Sequence, residues 1–174
     1  AERFAAITYS SLKDKKNGLD QEDEDVAFSA YNLALVILEQ GGRDNLNKAE
    51  ELARESLRIR TNLFGSDHHR DYKIAESSMI LASALKKQDK GENETKELFK
   101  RSLPIWIRHE GPDGRNVASA NITIGRFLLE DAPKQPFEAL KDLMLLAKSH
   151  FEEALRIESK VHGRQAEMAA DYIE

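Results

Sequence analysis

Two short segment types alternate along this 174-residue chain, and each keeps its register through three copies without a gap. The first type pairs a β-branched residue and Ala with an aliphatic residue and a small one: Val26-Ala27 with Leu33-Ala34, Ile74-Ala75 with Leu81-Ala82, and Val117-Ala118 with Ile124-Gly125. The first Ala and the second small residue are seven apart each time. The second type runs from Ala49 to Leu57, from Thr95 to Leu103 and from Ala147 to Leu155. A Gly follows eight residues later in every copy: Gly65, Gly111 and Gly163. A doubly kept register of this kind constrains the fold more than any single motif, because each unit must bury one face against the next.

Both segment types carry helical spacing. Ala49, Leu52, Ala53 and Leu57 share one face, as do Ala75, Met79, Ala82 and Leu85, and Phe151, Ala154 and Leu155. No stretch alternates polar and apolar residues, so no β-sheet is expected. The helix ends fall at Gly41-Gly42, Gly65, Gly111 and Gly163. Asp20, Asp44, Asp67 and Asp113 are N-cap candidates, and Asp23, Glu24 and Asp25 suit the positive end of a helix dipole. Ala34, Ala82 and Gly125 leave room for close helix approach, and Leu57, Leu103 or Leu155 of the partner helix is expected to fill it. Pro104, inside a second-type helix, predicts a local kink. Pro133 and Pro136 punctuate the longest linker, and the final helix is expected from about Pro136 to Val161.

The expected fold is all-α, a right-handed superhelix of about three helix pairs with a flanking helix at each end. Residues 1–13 are read as the trailing helix of a preceding pair, with Phe4, Ala5 and Leu12 buried. The three repeats then occupy 20–65, 67–111 and 113–163, and 164–174 opens a further helix, with Ala170 in register. The chain is read as a piece of a longer protein.

The residues Tyr31-Asn32-Leu33-Ala34, Ala49-Glu50-Glu51-Leu52, Glu55 to Arg60 and Leu63-Phe64-Gly65-Ser66-Asp67-His68 resemble tetratricopeptide repeats, specifically the long kinesin-light-chain type. The resemblance covers about residues 20–174. It implies a non-catalytic scaffold whose first helices line a concave groove for an extended peptide or a partner helix. By register, the groove-facing positions would be Phe28, Tyr31, Asn32 and Leu35 from the first pair. The second pair would give Glu76, Met79, Ser83 and Lys86, and the third Ser119, Ile122 and Arg126. The subset that clamps chaperone C-termini carries basic residues and Asn where this chain has Tyr31, Leu35, Met79 and Ser83, so such a terminus is not the expected ligand.

Each candidate has a plainer reading beside it. Asn32 suits bonding to a peptide backbone, or bonds its own neighbours on the surface. Lys86, Lys87 and Arg126 suit an acidic peptide, or form a solvated helix face. Phe28, Tyr31 and Met79 suit an apolar anchor pocket, or belong to the core.

Composition enters as exclusion. A net charge of −5 argues against nucleic acid as the main partner, and no apolar run suffices to span a membrane. The absence of cysteine removes thiolate sites and fits a reducing compartment, so a cytoplasmic location is expected. The five histidines, His68, His69, His109, His150 and His162, form no converging pair of the metal-binding kind. There is neither a phosphate loop nor a nucleophile elbow. No metal, cofactor or catalytic residue is therefore expected. The expected partner is a protein or peptide, acidic in character. Self-association through apolar helix faces at the solenoid ends is the alternative.

Overall fold

The computed structural model describes residues 2–15, 23–131 and 137–162. Among them are seven α-helices and no strand: α1 (Glu2–Lys15), α2 (Glu24–Gln40), α3 (Arg43–Phe64), α4 (Tyr72–Lys87), α5 (Glu92–Glu110), α6 (Arg115–Asp131) and α7 (Phe137–His162). The all-helical reading is thus the observed one, and the last helix begins one residue from its expected start. The expected helix over 164–174, with Ala170, lies outside the described residues, as do Asp20, Pro133, Pro136 and Gly163. The chain forms two compact units, Ala1–Ser102 and Leu103–Glu174. Their boundary falls inside α5, beside Pro104, through which the helix continues unbroken.

Local sequence sets the helix ends. Asp23 caps α2, its Oδ1 accepting from the Asp25 N–H at 2.7 Å. The α2–α3 turn places Gly41 at φ 67° and Gly42 at φ 87°, a left-handed pair that side chains with a Cβ resist. The N-cap readings of Asp44, Asp67 and Asp113 are corrected. Asp44 lies inside the first turn of α3, behind Gly42. Asp71 precedes α4, and Asp67 instead closes the turn before it, accepting from His69 N–H and Arg70 Nε. Asp113 sits before α6 and accepts from Arg156 at 2.6 Å and from Lys160. Asp67 and Asp113 each find a cationic partner, Arg70 for the first and Arg156 with Lys160 for the second, and such a charge-assisted bond is stronger than a bond to a helix amide alone.

In the first unit α1 packs on α2, α2 on α3 and α3 on α4. Ala27, Ala30 and Ala34 line α2 with fully buried small side chains, which lets neighbouring backbones approach closely. Tyr9 and Leu12 of α1 pack against Val26, Ala27 and Ile59. A buried polar chain crosses this seam. Ser56 Oγ donates to the Ala27 carbonyl at 2.8 Å, which uses its only proton, so Ser77 donates to Ser56 across their 2.8 Å contact. Arg60 Nη1 in turn reaches Ser77 Oγ at 3.1 Å, the Lys73 carbonyl at 2.7 Å and Glu76 at 2.9 Å. Arg60 is 2% exposed, and these partners keep its burial from being ruinous.

In the second unit α6 packs on α7. Here the small-residue expectation is corrected. A Cβ on Gly125 would meet the Phe151 ring at 2.8 Å, so Phe151, one turn before Leu155, occupies that space. Leu57, Leu103 and Leu155 are only half-buried. Asn121 donates to the Val117 carbonyl at 2.9 Å, turning its Oδ1 to His150 Nδ1 at 2.6 Å. His150 must therefore carry its proton on Nδ1, and burial pushes its pKa below the usual imidazole value.

Candidate partner-binding site

The first unit holds an open, mostly apolar cleft of about 360 Å³ between α1 and α2. Ala5, Thr8 and Leu12 form one wall, and Asp25, Phe28, Ser29 and Asn32 form the other. The α2 wall follows from helical spacing: positions 25, 28, 29 and 32 recur at three and four residues and share a face. The α1 wall is held by charge. Tyr9 Oη donates to Glu55 of α3, and Lys13 Nζ reaches Tyr9 Oη at 2.9 Å and Glu55 at 3.1 Å. Burial, then the Glu55 hydrogen bond, raise the Tyr9 pKa, and the bond to Tyr9 raises that of Lys13. Gln40 also donates to Glu2 at 2.9 Å.

The groove candidates separate into groups. Phe28 and Asn32 come together in this cleft, Phe28 at 55% exposure and Asn32 half-buried. Tyr31 and Glu76 gather around Arg60 instead. The guanidinium lies 4.7 Å from the centre of the Tyr31 ring, and Glu76 pairs with it at 2.9 Å. Burial, with Glu76 nearby, raises the Tyr31 pKa. Leu35, Met79, Ser83 and Lys86 are partly buried, and Ser83 Oγ is turned back to the Met79 carbonyl at 2.9 Å. Lys87 is engaged at the Leu38 carbonyl at 3.0 Å. In the second unit Ser119 and Arg126 are exposed and Ile122 is half-buried.

Sequence reasoning missed Arg60 and Asp25. Arg60 continues the buried α3 series Ala49, Ala53, Ser56 by one further turn, and that spacing was its signal. Asp25 was assigned to the helix dipole, although its place three residues before Phe28 also puts it on the cleft.

Within the described residues no group of three or more His, Cys, Asp or Glu could hold a metal ion, and no helix is long and apolar enough to cross a membrane. The class is an α-helical repeat protein. A tetratricopeptide-repeat family model matches residues 30–70, from α2 through α3 to the turn before α4. That match supports a tetratricopeptide-repeat domain, a type of non-catalytic repeat scaffold used in protein–protein interaction. Among curated proteins none matches the chain.

Proposed function

We propose that this chain is a non-catalytic protein-interaction module of the kinesin-light-chain kind of repeat, cytoplasmic, that binds an extended or helical segment of a partner along the exposed face of α2. The observation that carries this reading is the α1–α2 cleft, where an exposed Phe28 stands beside Asn32. A large aromatic side chain left 55% exposed offers an anchor surface. Asn32 offers both a donor and an acceptor to a passing backbone, and among the described residues its side chain has no hydrogen-bond partner. Peptide selection against the intact chain tests this. Selected peptides should bind at least about tenfold more weakly to Phe28→Ala, a loss of about 1.4 kcal/mol. Unchanged affinity for Phe28→Ala and Asn32→Glu together would remove the cleft from the account.

A second reading, self-association, is favoured by a separate observation. Met144, Leu145 and Leu146 of α7 are 56%, 63% and 48% exposed, and Ile7 of α1 is 59% exposed. Adjacent exposed apolar side chains mark contact surfaces. Light scattering over a wide concentration range should then show a dimer or larger species, lost in a Leu145→Glu variant. A strict monomer throughout would dispose of this reading.

A further inference from the structure

The charge on the cleft says what kind of segment it receives. Three successive carboxylates open α2. Asp23 is committed to the Asp25 N–H, and Glu24 to Lys73, with Arg70 at 3.7 Å. These two also offset the positive end of the α2 dipole. Asp25 is different: it is exposed, and among the described residues it is the one ionisable side chain lining the cleft and its carboxylate makes no ion pair. Phe28 follows one helical turn later on the same face, and Leu12 faces them from α1.

An apolar cleft ending at a carboxylate that no described side chain pairs with fits a side chain that has an apolar stem and a cationic head. The stem of an Arg or Lys would cover Leu12 and Phe28, its head would reach Asp25, and the aromatic face would add a cation–π contact. A carboxylate in the same position would meet Asp25 with like charge. Lys87, a candidate for attracting acidic peptides, is engaged at the Leu38 carbonyl. Resting on the reading of the cleft as a peptide site, we propose that it takes an arginine or lysine side chain from an extended partner segment. Asn32 bonds that segment's backbone. This proposal stands opposite to the acidic ligand expected from the sequence, and the Arg and Glu peptides decide between the two.

The test uses the full chain and blocked octapeptides from a selected pool, with one position set in turn to Arg, Gln or Glu. Binding is read by fluorescence anisotropy at low and high salt. The Arg peptide should bind about threefold more tightly than the Gln peptide, the size of an exposed ion pair, and more tightly still than the Glu peptide, with the preference shrinking in high salt. Asp25→Asn should abolish the Arg-over-Gln preference and Asp25→Lys should reverse it toward Glu. Phe28→Ala should weaken all three. Both positions are exposed, and circular dichroism checks that the helices persist. If the peptides lose affinity on Phe28→Ala but show no preference for Arg, or prefer Glu, the cationic assignment is overturned while the cleft stands. If Phe28→Ala changes nothing, or no peptide binds, the cleft reading falls and takes this assignment with it.

Discussion

The α2–α3 pair and the α6–α7 pair share one register but are joined by different chemistry. At matching positions the first pair has Ala34 and Ala53, both buried, and the second has Gly125 and Phe151. The large ring is accommodated by removing the last carbon opposite it, since a Cβ on Gly125 would sit 2.8 Å from the Phe151 ring. One turn further on, Ser56 in the first pair corresponds to Ala154 in the second, and Arg60 corresponds to Glu158. The first unit is therefore fastened by a buried hydrogen-bond chain from Ala27 to Glu76. In the second, an aromatic ring fills the seam. A repeat register fixes which positions are buried and leaves open what is buried there. Arg60, Trp106 and Glu158 occupy one register position in α3, α5 and α7, and all three are buried.

The largest expected effect comes from removing the ring. Phe151→Ala should cost about 3–5 kcal/mol, the range for truncating a buried aromatic side chain, as read by urea denaturation. A loss under about 1 kcal/mol would mean the ring is not what fills the second seam. Next is Arg60→Ala, expected to cost about 2–3 kcal/mol, because it strands Ser77 and the Lys73 carbonyl beside a newly unpaired Glu76. Arg60→Met, which keeps the volume, should cost clearly less. Equal losses for the two would show that packing, not the polar chain, carries the first seam.

Exchanging the small residues sharpens the contrast further. Ala34→Gly should lose at least about 1 kcal/mol, through backbone entropy and the loss of a buried methyl group. Gly125→Ala should also destabilise, by about 1 kcal/mol net, because overpacking against Phe151 outweighs the gain in helix propensity. In a Phe151→Leu background the sign of Gly125→Ala should reverse. Stabilisation by Gly125→Ala in the native background would refute the tight contact.

The smallest effect is a pH dependence confined to the second unit. Burial lowers the folded-state pKa of His150 below its unfolded value of 6.5. The unfolded chain therefore binds the proton more readily, and stability rises with pH through that window. The contribution is fully present above about pH 6.5 and is lost as pH falls through the lower folded value. His150→Gln should flatten the stability–pH curve there, and an unchanged curve would show that another group titrates.

Among the described residues, helix type and approximate ends were legible in the sequence because they follow from period and from Gly placement. The burial of Ala27, Ala34, Ala75, Ala82 and Ala118 was legible for the same reason. N-caps were not, because Asp67 and Asp113 had a choice of partners that only the tertiary structure supplies. Arg60 was not, because composition assigns an arginine to the surface, and only the arrangement of Ser77, Glu76 and Tyr31 around it makes burial tolerable. At the candidate site, Phe28 and Asn32 were legible from register. Their company was not: α1 supplies the opposite wall, and its position depends on Tyr9 and Lys13 meeting Glu55 across 46 and 42 residues of sequence.

The most direct measurement of the central claim is a backbone-amide NMR titration of the isotope-labelled chain with its tightest selected peptide. Shifts concentrated on the cleft residues of α1 and α2, around Leu12, Phe28 and Asn32, are expected, and in Phe28→Ala they should need at least about tenfold more peptide to reach the same size. Shifts confined to α7 around Met144 to Leu146, with the α1–α2 cleft silent, would contradict that claim.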